Sequence, residues 1–270
     1  MTNRYFGEVA APDGVAIFYQ VDGEKDRPWI VLSNSLATDM RLWDPMMAPL
    51  MEHFRVLRYD TRGHGKSGGA KPPYDLQMMT GDVLALMDNL GIERADFMGI
   101  SLGGMTGLEL AISNPERVNR LICCDARSDA PDGYKAIWDG NIARLEEGGL
   151  AAVCEPTLER WFTEEFLKDD ANLDQLAVVR SMVLGTTRDG YVGVARCLQG
   201  LDILPRLGSV SCPTLYVVGE SDPAASVAVM EDMKDKTSHA EIIILNNAAH
   251  ISNLEQPQAF NAGVMAFLTN

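Results

Sequence analysis

The sequence predicts an α/β protein, a mostly parallel central sheet with flanking helices and an inserted helical cap. Three observations carry this. Short apolar runs alternate with segments whose apolar residues recur at helical spacing. Between residues 127 and 208 that rhythm stops, and helical segments follow one another with no strand between them. It then resumes to the end of the chain. The division is a core of residues 1–126 and 209–270 and a cap of residues 127–208.

The elements follow in order. "RYFGEVA", "APDG" and "VAIFYQV" alternate around a turn, as a β-hairpin does. "WIVLSNS" (29–35) and "FRVLRYD" (54–60) are apolar runs with polar carboxyl ends, the mark of buried strands; a glycine-rich "TRGHGKSGG" follows the second. "LQMMTGDVLALMDNL" (76–90) has helical spacing, and Gly91 stops it. "ADFMGI" is a strand, "LGGMTGLELAISN" a helix ended before Pro115, and "VNRLICCDA" (118–126) a strand. The insertion reads as four helical segments, "GYKAIWDGNIARLEE", "LAAVCEPTLERWF", "NLDQLAVVRSMVLG" and "YVGVARCLQGL". After it come the strand "PTLYVVGESD" (213–222), a helix near 225–235, the strand "AEIIILNN" (240–247) and a helix near 255–268.

Composition narrows the function classes. A formal net charge of −15 argues against nucleic acid and anionic membranes, which both want a basic face. The same field repels anionic substrates, so an anion site needs a local cation. No apolar run approaches a membrane span, and the first residues lack a secretory pattern, so a cytoplasmic location is expected. Five scattered cysteines without C-x-x-C, and four histidines without ligand spacing, predict neither a metal site nor a redox role. Homo-oligomerisation is left open.

Chemistry enters at Gly99-Ile100-Ser101-Leu102-Gly103, a G-x-S-x-G sequence between a predicted strand and a helix. A sharp turn there lifts the Ser101 hydroxyl out of the sheet, and the helix aims its first N–H groups at the same place. A serine hydroxyl needs a base to take its proton, and the base needs an orienting acid. His250 follows the last predicted strand and Asp222 ends the one before it, so both share Ser101's edge of the sheet. Asp125, ending "RLICCD", competes with Asp222 for the acid's role; Asp222 is favoured because its loop leads into the strand and helix segment that carries His250. His53 ends a helix, His64 lies in a turn and His239 in a polar loop; Glu255 reads as a helix N-terminal charge. An oxyanion hole needs two backbone donors, and the N–H groups of Leu102 and Leu36 are placed for it. Where such enzymes often carry His-Gly, this loop reads "SNSLATD". The donor is a peptide N–H, and Asn34 and Ser35 can shape the turn with short polar side chains.

With these residues placed, the chain resembles the α/β-hydrolase superfamily and, within it, the 3-oxoadipate enol-lactonases. "LSNSLATDMRLWD", "HFRVLRYDTRGHGKS", "GISLGGM", "RWFTEEF" and "AAHISNLEQP" are similar to segments of that group, and the likeness spans nearly the whole chain. It implies the α/β-hydrolase fold and a hydrolase of a small-molecule carboxylic ester or lactone. It also implies Ser101 as nucleophile, His250 as base, Asp222 as acid, and no cofactor. Trp138, Trp161, Phe162 and Met182 of the cap are the candidate pocket liners. One departure stands out: the family follows the cap tryptophan with an arginine three residues on, and here that position is Asn141. An anionic lactone would then need Arg127, Arg144 or Arg160. The same machinery also suits a broad carboxylesterase, a cofactor-free perhydrolase or haloperoxidase-type enzyme, or a carbon–carbon bond hydrolase. A small-molecule receptor on a hydrolase scaffold is the non-enzymatic reading.

Overall fold

A computed structural model describes residues 4–269. Its strands are β1 (Tyr5–Ala10), β2 (Ala16–Asp22), β3 (Trp29–Ser33), β4 (Arg55–Tyr59), β5 (Ala95–Ile100), β6 (Val118–Cys124), β7 (Thr214–Gly219) and β8 (Ala240–Leu245). They form one sheet in the order β1-β2-β4-β3-β5-β6-β7-β8. β2 pairs antiparallel with β1 and β4, and every other pairing is parallel. The chain moves from β3 to β4 on one side and then to β5 on the other. Such a reversal opens a crevice at the carboxyl ends of the strands.

The helices are α1 (Met47–Met51), α2 (Leu76–Asn89), α3 (Leu102–Ser113), α4 (Asp132–Trp161), α5 (Glu164–Lys168), α6 (Leu173–Gly185), α7 (Arg188–Gln199), α8 (Val227–Lys236), α9 (Ser252–Glu255) and α10 (Pro257–Thr269). α2 shows why the local sequence folds this way. Asp75 caps it by accepting the Met78 N–H at 2.8 Å, and Met79, Val83, Leu86 and Met87 bury one face. Gly91, at φ +66°, ends the turn beyond it, a conformation that favours glycine. β5 is buried at all six positions, as expected where helices cover both faces of a parallel sheet. Its one charged residue, Asp96, is matched by the Arg120 guanidinium at 2.7 and 3.0 Å. The five cysteines are buried free thiols.

α4–α7 lie between β6 and β7, in the stretch predicted as helical. The chain leaves and re-enters the core through a narrow neck. Asp129 bridges Asp202, and the Ile203 N–H donates to the Ser128 carbonyl at 2.8 Å. The first two predicted helical segments are the limbs of α4, broken at Gly149 (φ 67°, ψ −166°). The short α5 and the 3-10 turn Met40–Met46 are not foreseen by apolar spacing. The helix expected near 255–268 is α10, preceded by the separate turn α9. No helix among the described residues is long and apolar enough to cross a membrane.

Candidate active site

Ser101 occupies the turn from β5 into α3 with φ 54° and ψ −115°. A residue with a side chain is held there at a cost of about 1–3 kcal/mol, which the surroundings must over-determine. Two glycines make the turn sterically possible. A Cβ on Gly99 would lie 2.2 Å from the Gly103 carbonyl, and one on Gly103 would lie 2.1 Å from the Ser33 oxygen. The Ser101 N–H donates to the Cys124 carbonyl at 2.8 Å, tying the turn to the end of β6.

His250 and Asp222 arrive from the ends of β8 and β7. His250 Nδ1 lies 2.8 Å from Asp222 Oδ2, and Nε2 lies 3.0 Å from Ser101 Oγ. All three residues are buried. A carboxylate only accepts, so Nδ1 carries the proton and Nε2 presents its lone pair to the serine hydroxyl. Asp222 Oδ1 accepts the N–H groups of Ala224 and Ala225 at 2.7 and 3.0 Å, which fixes the carboxylate plane.

Asp125 makes different contacts. It is fully buried at φ 45°, accepts the Gly219 N–H at 2.8 Å and bonds Ser252 Oγ at 2.5 Å. Burial first, and the neighbouring Asp222 charge second, push its carboxyl well above the usual range. Of the two acids weighed from the sequence, Asp222 is the one that meets His250.

The loop after β3 is held by Asn34. Its amide donates to the Tyr59 carbonyl at 2.6 Å and accepts the Trp43 indole N–H at 3.0 Å. Asn34 thus shapes the turn through partners remote in sequence, where the sequence suggested nearby backbone. Thr38 closes the loop onto the Ser35 carbonyl through its hydroxyl at 2.9 Å. Ser35 and Leu36 line the pocket that holds Ser101.

That pocket is narrow, with room for one or two waters as it stands, and Ser101 and His250 line it. Trp138 and Trp161, two of the expected cap liners, are in its wall. Phe162 and Met182 are not. Phe162, extended just beyond the end of α4, stacks on Phe166 at 4.9 Å. Met182 is buried on the face of α6 that carries Leu176, Val179 and Val183. Arg127, Tyr134, Arg160 and Met105 complete much of the lining. Apolar spacing gives no signal for Tyr134 or Met105.

The two arginines differ. Arg127 is committed: it pairs with Asp129 at 2.9 Å, donates to the Asp129 and Ala224 carbonyls, and stacks on Tyr134. Arg160 lies over the Trp138 ring at 5.4 Å, and among the described residues no carboxylate pairs with it. Asn141 and Arg144 contact each other at 3.3 Å and stay out of the lining. The remaining histidines are elsewhere. His64 is buried, and burial lowers it to about 4. Glu255 was expected as a helix N-terminal charge. It does stand in the first turn of α9, and it is in addition a buried carboxylate that accepts N–H groups from Ala249 and Thr163.

Comparison with known proteins places this geometry. The alpha/beta hydrolase fold family matches residues 28–257. A 3-oxoadipate enol-lactonase of Acinetobacter baylyi is 36% identical over 264 residues, covering 98% of this chain and 97% of that one. The crystal structure of the enol-lactonase from Burkholderia xenovorans superimposes with a TM-score of 0.92 at 37% identity, over 98% of this chain and 100% of the other. A hydrolase from Pseudomonas aeruginosa superimposes with a TM-score of 0.93 at 33% identity, with 98% of both chains covered. The chain belongs to the α/β-hydrolase family, within it resembles the 3-oxoadipate enol-lactonases, and is a hydrolase enzyme.

Proposed function

We propose that the chain is a serine lactonase that opens an anionic enol-lactone through an acyl-enzyme. The observation that supports this most is the hydrogen-bonded run Asp222–His250–Ser101 at the floor of a pocket that also holds an unpaired guanidinium. In this reading Ser101 Oγ attacks the ring carbonyl while His250 Nε2 takes its proton. Asp222 keeps the imidazole in the required tautomer and steadies the imidazolium. The N–H groups of Leu36 and Leu102 receive the oxyanion. The enol oxygen leaves with the proton from His250; water, deprotonated by the same nitrogen, then hydrolyses the ester on Ser101. Nothing in these steps requires a cofactor.

Residues 127–208 act as the cap that sets specificity in this reading. The absent arginine at position 141 is answered by Arg160, which has no counter-ion among the described residues to compete with a substrate carboxylate. Ser35 Oγ, buried without a partner on the same wall, is a further polar group for the bound ring. The enzyme needs no membrane, and the cytoplasm suits its thiols.

The test is Ser101→Ala together with fluorophosphonate labelling and a panel of anionic enol-lactone, neutral lactone and p-nitrophenyl esters. Ser101→Ala should lower kcat by about 10⁴-fold or more and abolish labelling. Near-normal turnover by the purified variant would remove the acyl-enzyme from consideration. Labelling of the parent enzyme without turnover of any ester would favour a receptor.

A further inference from the structure

The segment bearing His250 is fastened to the wall of the pocket, and one side chain does most of the fastening. Glu255 is only 7% exposed. Its Oε2 accepts the Ala249 N–H at 2.8 Å, one residue before His250. Its Oε1 accepts the Thr163 N–H at 2.8 Å and also the Thr163 hydroxyl. Beside it, the Ile251 N–H donates to the Trp161 carbonyl at 3.2 Å. Residues 249–251 are therefore laced to residues 161–163, with His250 in the middle of one strip and the pocket liner Trp161 at the start of the other.

We infer that Glu255 is a positioning residue, coupling the base to the cap wall so that imidazole and substrate pocket keep one alignment. This rests on the assignment of His250 as the base. The chemistry of the side chain fits the task. Three donors converge on two oxygens, which a carboxylate accepts in full and no other side chain of that length does. Removing it leaves the buried Ala249 N–H and the half-buried Thr163 N–H without partners, and the two strips then relax independently. A glutamine offers one acceptor to Ala249 and can donate its amide to the Thr163 hydroxyl, so it restores part of the link. A helix-dipole role would need only an exposed charge near the α10 N-terminus, and would tolerate its loss.

The experiment uses the full chain as Glu255→Ala, Glu255→Gln and Thr163→Val, with p-nitrophenyl acetate and an anionic enol-lactone as substrates. Fluorophosphonate labelling of the parent enzyme comes first; if it fails, the serine assignment falls and takes this inference with it. Given labelling, Glu255→Ala should lower kcat on both substrates and the labelling rate by up to about 100-fold, since a small misplacement of a reacting group costs that much. KM should rise for the lactone, which reaches the wall, and stay within about twofold for the acetate. Glu255→Gln should recover a substantial part of kcat. Thr163→Val, which keeps its N–H, should cost less than about threefold. A folded Glu255→Ala that labels and turns over within twofold of the parent overturns the inference. Should that variant not fold, Glu255→Gln decides: parental kcat and parental lactone KM together overturn it, and a reduced kcat with raised lactone KM supports it.

Discussion

Arg160 is the residue on which substrate charge should depend, and its contribution can be sized from its surroundings. The side chain is half-buried, lies over Trp138, and pairs with no carboxylate among the described residues. A substrate carboxylate about 4 Å away would gain about 1 kcal/mol in bulk water and about 4 kcal/mol near a protein surface. Ordering a long side chain takes back about 0.5–1.5 kcal/mol. A net of about 2 kcal/mol remains, which corresponds to about 30-fold in affinity. Arg160→Gln should therefore lower kcat/KM about 30-fold on an anionic enol-lactone and less than about threefold on a neutral lactone of the same ring. Raising the salt from 0.05 to 0.5 M should shrink the parent enzyme's preference for the anion and leave the variant's unchanged. Arg127→Gln is the control. Its guanidinium is already spent on Asp129 and two carbonyls, so its loss should alter the anion-to-neutral ratio far less. The decisive measurement is that ratio in steady-state kinetics. Equal losses on both lactones, or none, would refute the reasoning.

Two further predictions concern pH. The Asp125 carboxyl is raised by burial, so the folded state holds its proton longer than the unfolded chain, whose aspartates titrate near 3.9. The parent should then lose stability relative to Asp125→Asn as pH rises from about 4 through the folded value, and the gap should stay constant beyond it. Urea midpoints at a series of pH values measure this; a parent that gains on the variant with rising pH contradicts it. His64 has the opposite sign. Held neutral by burial down to about 4, it stabilises the fold above about 6.5, and that stability is lost as pH falls from 6.5 through 4. The gap is worth about 3 kcal/mol at most. Denaturation at pH 7 and 4 should show the parent losing about 2–3 kcal/mol more than His64→Gln; parallel losses would exclude His64 as the acid-sensitive group.

Much of this site is legible in the sequence because the backbone dictates it. Ser101, Asp222 and His250 each follow an apolar run, and a parallel sheet brings the carboxyl ends of its strands to one edge. The glycines flanking Ser101 are equally legible, since backbone passes where a Cβ would stand. Asp125 and Asp222 could not be separated that way. Both end strands at the same edge, and only the direction of each carboxylate distinguishes them. Glu255 was legible only in part: its place in a first helical turn is local, whereas its partner Thr163 is 92 residues away.

Arg160 could not be singled out from Arg127 and Arg144 for a reason that lies in α4. Trp138 and Arg160 are 22 residues apart in one nominal helix, and a straight helix would separate them by about 33 Å. Yet the Arg160 guanidinium lies 5.4 Å from the Trp138 ring centroid. Gly149, at φ 67° and ψ −166°, breaks the helix so that its second limb folds back along the first. The family resemblance places a cation one turn after Trp138, where this sequence has Asn141. The fold supplies one from across the bend. A wall assembled from two limbs can lose an arginine from one and present another from the second without disturbing the aromatic residue between them. The break at Gly149 is thus what brings the Arg160 guanidinium over the Trp138 ring.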